Sequence, residues 1–174
     1  MSVPDNETEL TLKLTVNGEE FTYDYSVGDV VSDAQEIQVG DKIEASDYAS
    51  MVFNGIEYTD DVVPSDTSGV YSHYEVDNAS NTYLVVKFDI TNYMNDKRDG
   101  DTFVGAKAVY MEKYSYNGFI VVEDEDGKGF SSHGAISPLT TRHVYHVISV
   151  PKTVKDSDVV VTIFFNNQEY VFAG

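Results

Sequence analysis

Alternation of apolar and polar residues, punctuated by Gly, Asn and Asp, is the feature that most limits what this chain can fold into. Residues 83–91 show it most clearly, because Leu84 and Val86 fall on one face of an extended strand and Lys87 and Asp89 on the other. A period of two is typical of half-buried antiparallel strands. Helical periodicity is almost absent, so the sequence predicts an all-β fold.

The segment 8–27 predicts a β-hairpin, because Asn17-Gly18 separates two alternating runs. Asn-Gly favours a type I′ turn, which needs a positive φ at both central residues. No block of helical sequence separates the other runs, which favours a β-sandwich over a parallel α/β fold. Further strands are expected near 42–47, 50–58, 103–111, 118–123, 142–150, 158–165 and 169–173.

Three polar segments, 28–41, 60–81 and 94–102, carry the least strand pattern. The segment 60–81 is the longest of them, and its Asp, Ser, Thr and Gly content predicts a long exposed loop.

The charge is strongly negative and unevenly placed. The 174 residues have a net charge of −19, and residues 1–81 carry 18 acidic against two basic side chains. Nucleic acid and anionic lipid are therefore not expected partners, since both need basic surfaces. The acidic half is expected to serve solubility, with a binding role for cations or basic partners as the alternative.

The absence of Cys and of long apolar runs removes further classes. With no Cys, the chain has no thiol nucleophile, zinc ribbon or disulfide framework. The longest apolar run, 159–165, has seven residues, against about 20 for a membrane span. Residues 1–10 have neither the basic nor the apolar region of a signal peptide, so a signal of an exported protein would precede residue 1.

Candidate catalytic groups do not form a recognisable pattern. Ser131-Ser132-His133 invites a triad interpretation, but adjacent turn residues do not place a base on a nucleophile. Two histidines, His143 and His146, are three apart in a strand and so face opposite sides, which prevents joint chelation. His73 and His133 complete the set of four. We therefore expect no catalytic residue and no enzyme activity.

Calcium is the one cofactor that the acidic loops leave open. The loop 123–129 resembles part of an EF-hand, but Val122 stands where the first Asp belongs and turn preference explains the rest. Asp96, Asp99 and Asp101 form a second acidic loop. The expectation is no cofactor, with calcium as the alternative.

Two other motifs fall short. The segment 127–132 lacks the third Gly of a dinucleotide fingerprint. Asp60-Asp61 are too close in sequence to straddle a glycosidic bond, so a glycan hydrolase is disfavoured.

Aromatic residues concentrate at a predicted strand–turn–strand over 109–119, namely Tyr110, Tyr114, Tyr116 and Phe119. Alternate aromatics in strands usually form cross-strand pairs and core. A stacking platform for sugars or a protein interface remains the alternative, although the absence of Trp weakens the sugar interpretation.

Residues 39–173 resemble the Ig-like lipoprotein domains of unknown function exported by Gram-positive bacteria, which share a fold with the mycobacterial immunoprotective extracellular antigens. The order of five segments carries the resemblance: 39–44 (VGDKIE), 81–92 (NTYLVVKFDITN), 114–124 (YSYNGFIVVED), 136–142 (ISPLTTR) and 150–155 (VPKTVK).

The resemblance implies an immunoglobulin-like antiparallel sandwich, exported and anchored to the cell surface through a lipidated Cys upstream of residue 1. It supplies no catalytic, metal or ligand-binding residues. The expected organisation is an N-terminal hairpin extension over 1–38 and an Ig-like domain over 39–174. The expected function is a non-enzymatic interaction module for a protein or glycan, with a calcium-stabilised spacer or a carbohydrate-binding module as alternatives.

Overall fold

The computed structural model describes residues 34–155 and 159–173 in full, together with the backbone of 8–16 and 19–27. The chain divides into two compact units, Met1–Asp33 and Ala34–Gly174.

The N-terminal unit contains an antiparallel hairpin of β1 (Thr8–Val16) and β2 (Glu19–Val27). This confirms the predicted pairing over 8–27, while the turn residues Asn17 and Gly18 lie outside the described residues. In the register, Leu10 stands opposite Tyr25 and Leu12 opposite Tyr23.

The second unit is almost entirely β-structure with two short 3-10 turns, Gly100–Thr102 and Lys152–Val154. Its strands are β3 (Gln35–Glu36), β4 (Lys42–Ala45), β5 (Ala49–Thr59), β6 (Asp61–Val62), β7 (Tyr74–Glu75), β8 (Asn81–Asn92), β9 (Arg98–Asp99), β10 (Val104–Tyr110), β11 (Tyr114–Tyr116), β12 (Gly118–Glu123), β13 (Phe130–Ser131), β14 (Ala135–Ile136), β15 (Thr141–Pro151), β16 (Val159–Phe165) and β17 (Gln168–Ala173).

Two sheets form the sandwich. The five-stranded sheet has the order β11-β10-β16-β17-β3 and the six-stranded sheet the order β13-β12-β15-β8-β5-β4. Neighbouring strands in both are antiparallel, except for the parallel pair β17-β3. The fold is therefore an all-β, immunoglobulin-like sandwich, as the alternating sequence and the resemblance predicted.

The main core lies between the sheets and follows the predicted alternation. On β8, the residues Leu84, Val86, Phe88 and Ile90 are buried in this core, facing Phe165 and other apolar residues of the second sheet. Burial of this face is the main stabilising contribution, because apolar area removed from water is worth about 25 cal/mol per Å².

The prediction of a long exposed loop over 60–81 is wrong in part. This segment, called here the cover segment, forms the β6-β7 pair. Its Val62 and Tyr74 belong to a second apolar cluster that also contains Val85, Val121 and Val147. Val85 is consequently fully buried, although it alternates with the core face of β8. The cover segment thus closes part of the outer face of the six-stranded sheet.

The other two weakly patterned segments also contain pairing. Within 28–41, β3 pairs with β17 and Ile37 is buried in the main core. Within 94–102, β9 pairs with β14. The boundary between the two compact units lies between Asp33 and Ala34, and the boundary expected from the sequence lies after residue 38.

Candidate functional site

The acidic loop 123–129 begins with a buried carboxylate that holds the cover segment. Glu123 is only 3% exposed. Its carboxylate accepts hydrogen bonds from the Ser65 hydroxyl and, at 2.7 Å, from the Tyr145 hydroxyl. Burial, with a further contribution from Glu123, raises the pKa of Tyr145. These bonds satisfy a carboxylate that would otherwise be costly to bury, so Glu123 has a structural role.

The remaining acids of this loop also have partners within the protein. Asp124 accepts the Ser131 hydroxyl at 2.7 Å, and Glu125 pairs with Arg142 at 3.0 Å. Among the described residues, no three His, Cys, Asp or Glu side chains lie together as a metal site. In the second acidic loop, Asp96 pairs with Arg98. The absence of a cofactor stays a prediction, with calcium as its alternative.

The histidines are separated, as their spacing predicted. His143 lies on the outside of β15 beside Asp89, while His146 on the same strand is buried between the sheets. His73 pairs with Asp61 in the cover segment. Within the fully described ranges, no hydrogen bond joins a serine hydroxyl to a histidine ring.

The segment 127–132 and the pair Asp60-Asp61, which we did not expect to bind phosphate or to cleave glycans, form contacts within the protein. The Gly127 N–H donates to the Asp124 carbonyl, closing the turn. Asp60 binds Lys152 at 2.8 Å, whereas the adjacent Asp61 binds His73.

The predicted aromatic cluster is divided among three places. Tyr110 and Tyr114 stack with ring centroids 6.2 Å apart on the β10–β11 hairpin. Tyr116 packs against the main core. Phe119 instead meets Tyr74 of the cover segment at 5.2 Å. One shared platform of all four rings is therefore not formed.

The β10–β11 hairpin has a turn in an unusual conformation. Met111 and Glu112 have φ values of 53° and 55°, and the Lys113 N–H donates to the Tyr110 carbonyl at 3.2 Å. Two successive positive φ values define a type I′ turn, which Asn and Gly normally occupy. Met111 is 66% and Tyr114 46% exposed, so the turn displays large apolar side chains at an edge of the five-stranded sheet.

A cleft of about 540 Å³ lies at one end of the sandwich, and sequence reasoning missed it. We call it the end cleft. Tyr48, Ile120 and the segments 101–105 and 164–169 line it, and its principal residues are Tyr48, Asp101, Phe164, Asn166, Asn167 and Glu169. The one sequence signal near it is the polar run Asn166-Asn167-Gln168 between the strands predicted at 158–165 and 169–173, and such a run is typical of a simple turn.

The walls of the end cleft are firmly placed. The Tyr48 hydroxyl donates to the Thr102 carbonyl at 2.6 Å, and its ring packs 5.5 Å from that of Phe103. Burial raises the pKa of Tyr48, so this hydroxyl stays protonated. Asn166 and Asn167 have φ values of 47° and 59° and form the β16–β17 turn. One wall of the cleft is therefore Tyr48 with the segment that it binds, and the other is the β16–β17 turn.

Comparison with known proteins identifies the fold class. No model of a known protein family matches the chain, and no curated protein is a match. An uncharacterized β-sandwich protein from Clostridium difficile 630 superposes with a TM-score of 0.74 and 29% identity, covering 82% of this chain and 95% of its own. A conserved hypothetical protein from Bacillus anthracis, 14% identical, gives a TM-score of 0.51 over 78% of this chain and 92% of its own.

These comparisons support the β-sandwich and attach no activity to it. The described part of the chain also contains no helix of the length and apolar character that crossing a membrane requires.

Proposed function

We propose that this protein is a non-enzymatic, exported interaction module of the cell surface that binds a protein partner through its β10–β11 hairpin. The sequence resemblance to exported Ig-like domains supports the location. The β-sandwich supports the type of function, because such scaffolds usually bind through loops and sheet edges.

The observation that carries the proposal is the strained, apolar turn. For a residue other than Gly, the left-handed conformation costs roughly 1–2 kcal/mol, and Met111 and Glu112 both adopt it. Backbone strain of this kind persists where the surrounding structure maintains it, and it is concentrated at functional sites. Here the strained position holds an exposed Met, a flexible side chain that adapts to apolar pockets.

The surroundings of the turn fit a protein interface. Tyr114 adds an exposed aromatic ring, and the Lys113 ammonium lies 5.3 Å from its centroid. Tyr and Met are enriched at the centres of interfaces. The strand β11 lies at the edge of its sheet and pairs with β10 through three residues. Its other edge pairs with no described strand, so it adds main-chain hydrogen-bonding groups to the same surface.

The test compares capture by the wild type with capture by a variant whose turn is relaxed. The double change Met111→Asn and Glu112→Gly installs the preferred type I′ pair and removes both side chains. We expect it to raise the melting temperature while reducing capture of a discrete partner from envelope and host-surface extracts at least tenfold. Tyr114→Ala should reduce capture without the gain in stability.

Val70→Ala is the matched control, because Val70 is 94% exposed in the cover segment. It should capture as the wild type does. Equal capture by the relaxed-turn variant, or no discrete partner on the wild-type column, would contradict the proposal.

A further inference from the structure

The end cleft contains polar side chains that the protein itself does not use. Asp101, Asn166, Asn167 and Glu169 line it. All four are exposed to solvent, and none of these side chains forms a hydrogen bond or ion pair with another described residue. In contrast, carboxylates of the loop 123–129 already form hydrogen bonds or ion pairs within the protein. Polar groups that converge in a concave site without internal partners are typical of a ligand site.

The aromatic part of the end cleft comes from Phe164 on the outer face of β16. Its neighbour across the sheet is Gly105, which has no side chain to cover the ring. Even an added Cβ at Gly105 would lie 3.8 Å from the Phe164 ring, in ordinary contact. Lys107 lies over this ring with its ammonium 5.7 Å from the centroid. Phe164 is half-buried, so a ligand at this ring would contact the part that Lys107 leaves uncovered or would displace the Lys107 side chain.

The composition of the lining excludes several ligand classes. Among the described residues that line the end cleft there is no Lys, Arg or His, and two are carboxylates. Even with the Lys107 ammonium over Phe164 the charge at the cleft is negative, so an anion is disfavoured. A purely apolar ligand would leave four polar side chains desolvated without partners, which is costly. No group of three His, Cys, Asp or Glu is found within the described ranges, which disfavours a bound metal ion.

The groups that remain fit a sugar. A hydroxyl both donates and accepts hydrogen bonds, a carboxylate accepts, and an amide does both. Asp101 and Asn167 can therefore satisfy neighbouring hydroxyls, while the apolar face of a pyranose ring packs on Phe164. The volume of about 540 Å³ lies in the usual range for small-molecule sites, roughly 300–1,000 Å³.

We propose that the end cleft is a binding site for a neutral glycan. The cleft shares β10 with the proposed protein-binding hairpin, but Val104 and Gly105 lie at the start of that strand and the turn follows its end. The two binding proposals can therefore be tested separately.

The turn at Asn166-Asn167 offers a direct test, because its side chains can be changed while its backbone conformation is kept. Asn also suits a type I′ turn for conformational reasons alone, and Gly is the favoured residue at the second central position. Asn167→Gly therefore keeps the turn and deletes the amide. Asp101→Asn keeps the shape of the side chain and removes its charge.

The probes are three neutral hexasaccharides, of α-1,4-glucose, β-1,4-glucose and N-acetylglucosamine, followed by titration calorimetry and ligand-observed NMR on the full chain. A galacturonic acid hexamer and a hexalysine peptide serve as charged comparisons. We expect at least one neutral sugar to bind, and both variants to weaken it at least tenfold with melting temperatures within two degrees of the wild type. Tyr114→Ala, on the separate hairpin, should bind the sugar as the wild type does.

Three results would overturn the proposal: no binding of any neutral hexamer at millimolar sugar, equal binding by Asn167→Gly, or a charged probe that binds more tightly than the neutral ones. Tight binding of hexalysine would instead make the cleft a site for basic peptides.

Discussion

His146 should make the sandwich sensitive to mild acid. Its ring is 7% exposed, and its Nδ1 accepts the Ala106 N–H at 2.7 Å from the opposite sheet. The strand β11 pairs with 108–110 of β10 and does not reach Ala106. The bond to His146 therefore satisfies a main-chain donor on the side of β10 that faces away from β16. The Nε2 atom has no well-aligned partner among the described residues.

The size of the effect follows from the pKa of this histidine. Burial lowers the pKa of His146 to about 4 from an ordinary value of 6.5, against a smaller opposing effect of the Gly118 main chain. Because the unfolded chain binds the proton more readily, the free energy of unfolding falls as the pH drops from 6.5 towards 4. Each pKa unit is worth about 1.4 kcal/mol, so we expect a loss of about 2 to 3 kcal/mol by pH 4.5.

Urea unfolding followed by tyrosine fluorescence at pH 7.5, 6.5, 5.5 and 4.5 would measure this loss, since the chain has 13 Tyr and no Trp. The variant His146→Gln offers an acceptor for the Ala106 N–H but does not titrate. We expect its stability to vary much less over the same range, the residual slope coming from the carboxylates. Equal slopes in the two proteins would refute the reasoning.

Two further outcomes can be checked by thermal unfolding. A Cβ at Gly118 would overlap the Val147 carbonyl oxygen across the β12–β15 pair, so Gly118→Ala should lower the free energy of unfolding by about 3 kcal/mol. Gly105 has an open site, so Gly105→Ala should lower it by less than about 1 kcal/mol. Similar losses in the two variants would contradict this account. The melting temperature should be the same in millimolar calcium and in chelator, because carboxylates of the loop 123–129 already bind groups within the protein. A rise of several degrees that Glu125→Gln removes would establish the calcium alternative instead.

The long strands could be predicted from the sequence because alternation is a local property. The strand β12 has the predicted bounds, 118–123. The strand β15 is longer than predicted by one residue at each end, and β16 begins one residue later than predicted. The opposite facing of His143 and His146 followed from the same period.

Short pairings and the cover segment could not be predicted in this way. A two-residue strand such as β3 has no period to detect. In the cover segment, Val62 and Tyr74 are 12 residues apart within polar sequence, and they form a cluster only because Val85 faces them. Such a role depends on a partner distant in sequence rather than on the neighbours.

The sequence by itself determined the fold class, the face of each long strand and the strongly acidic character of the first half. Only the tertiary structure decided that His146 lies inside rather than outside, that Glu123 is a buried anchor, and that Asp101, Phe164 and Asn167 border one cleft. The physical reason is that alternation states which side of a strand is apolar. Which loops meet at the end of the sandwich is set by the pairing of distant strands.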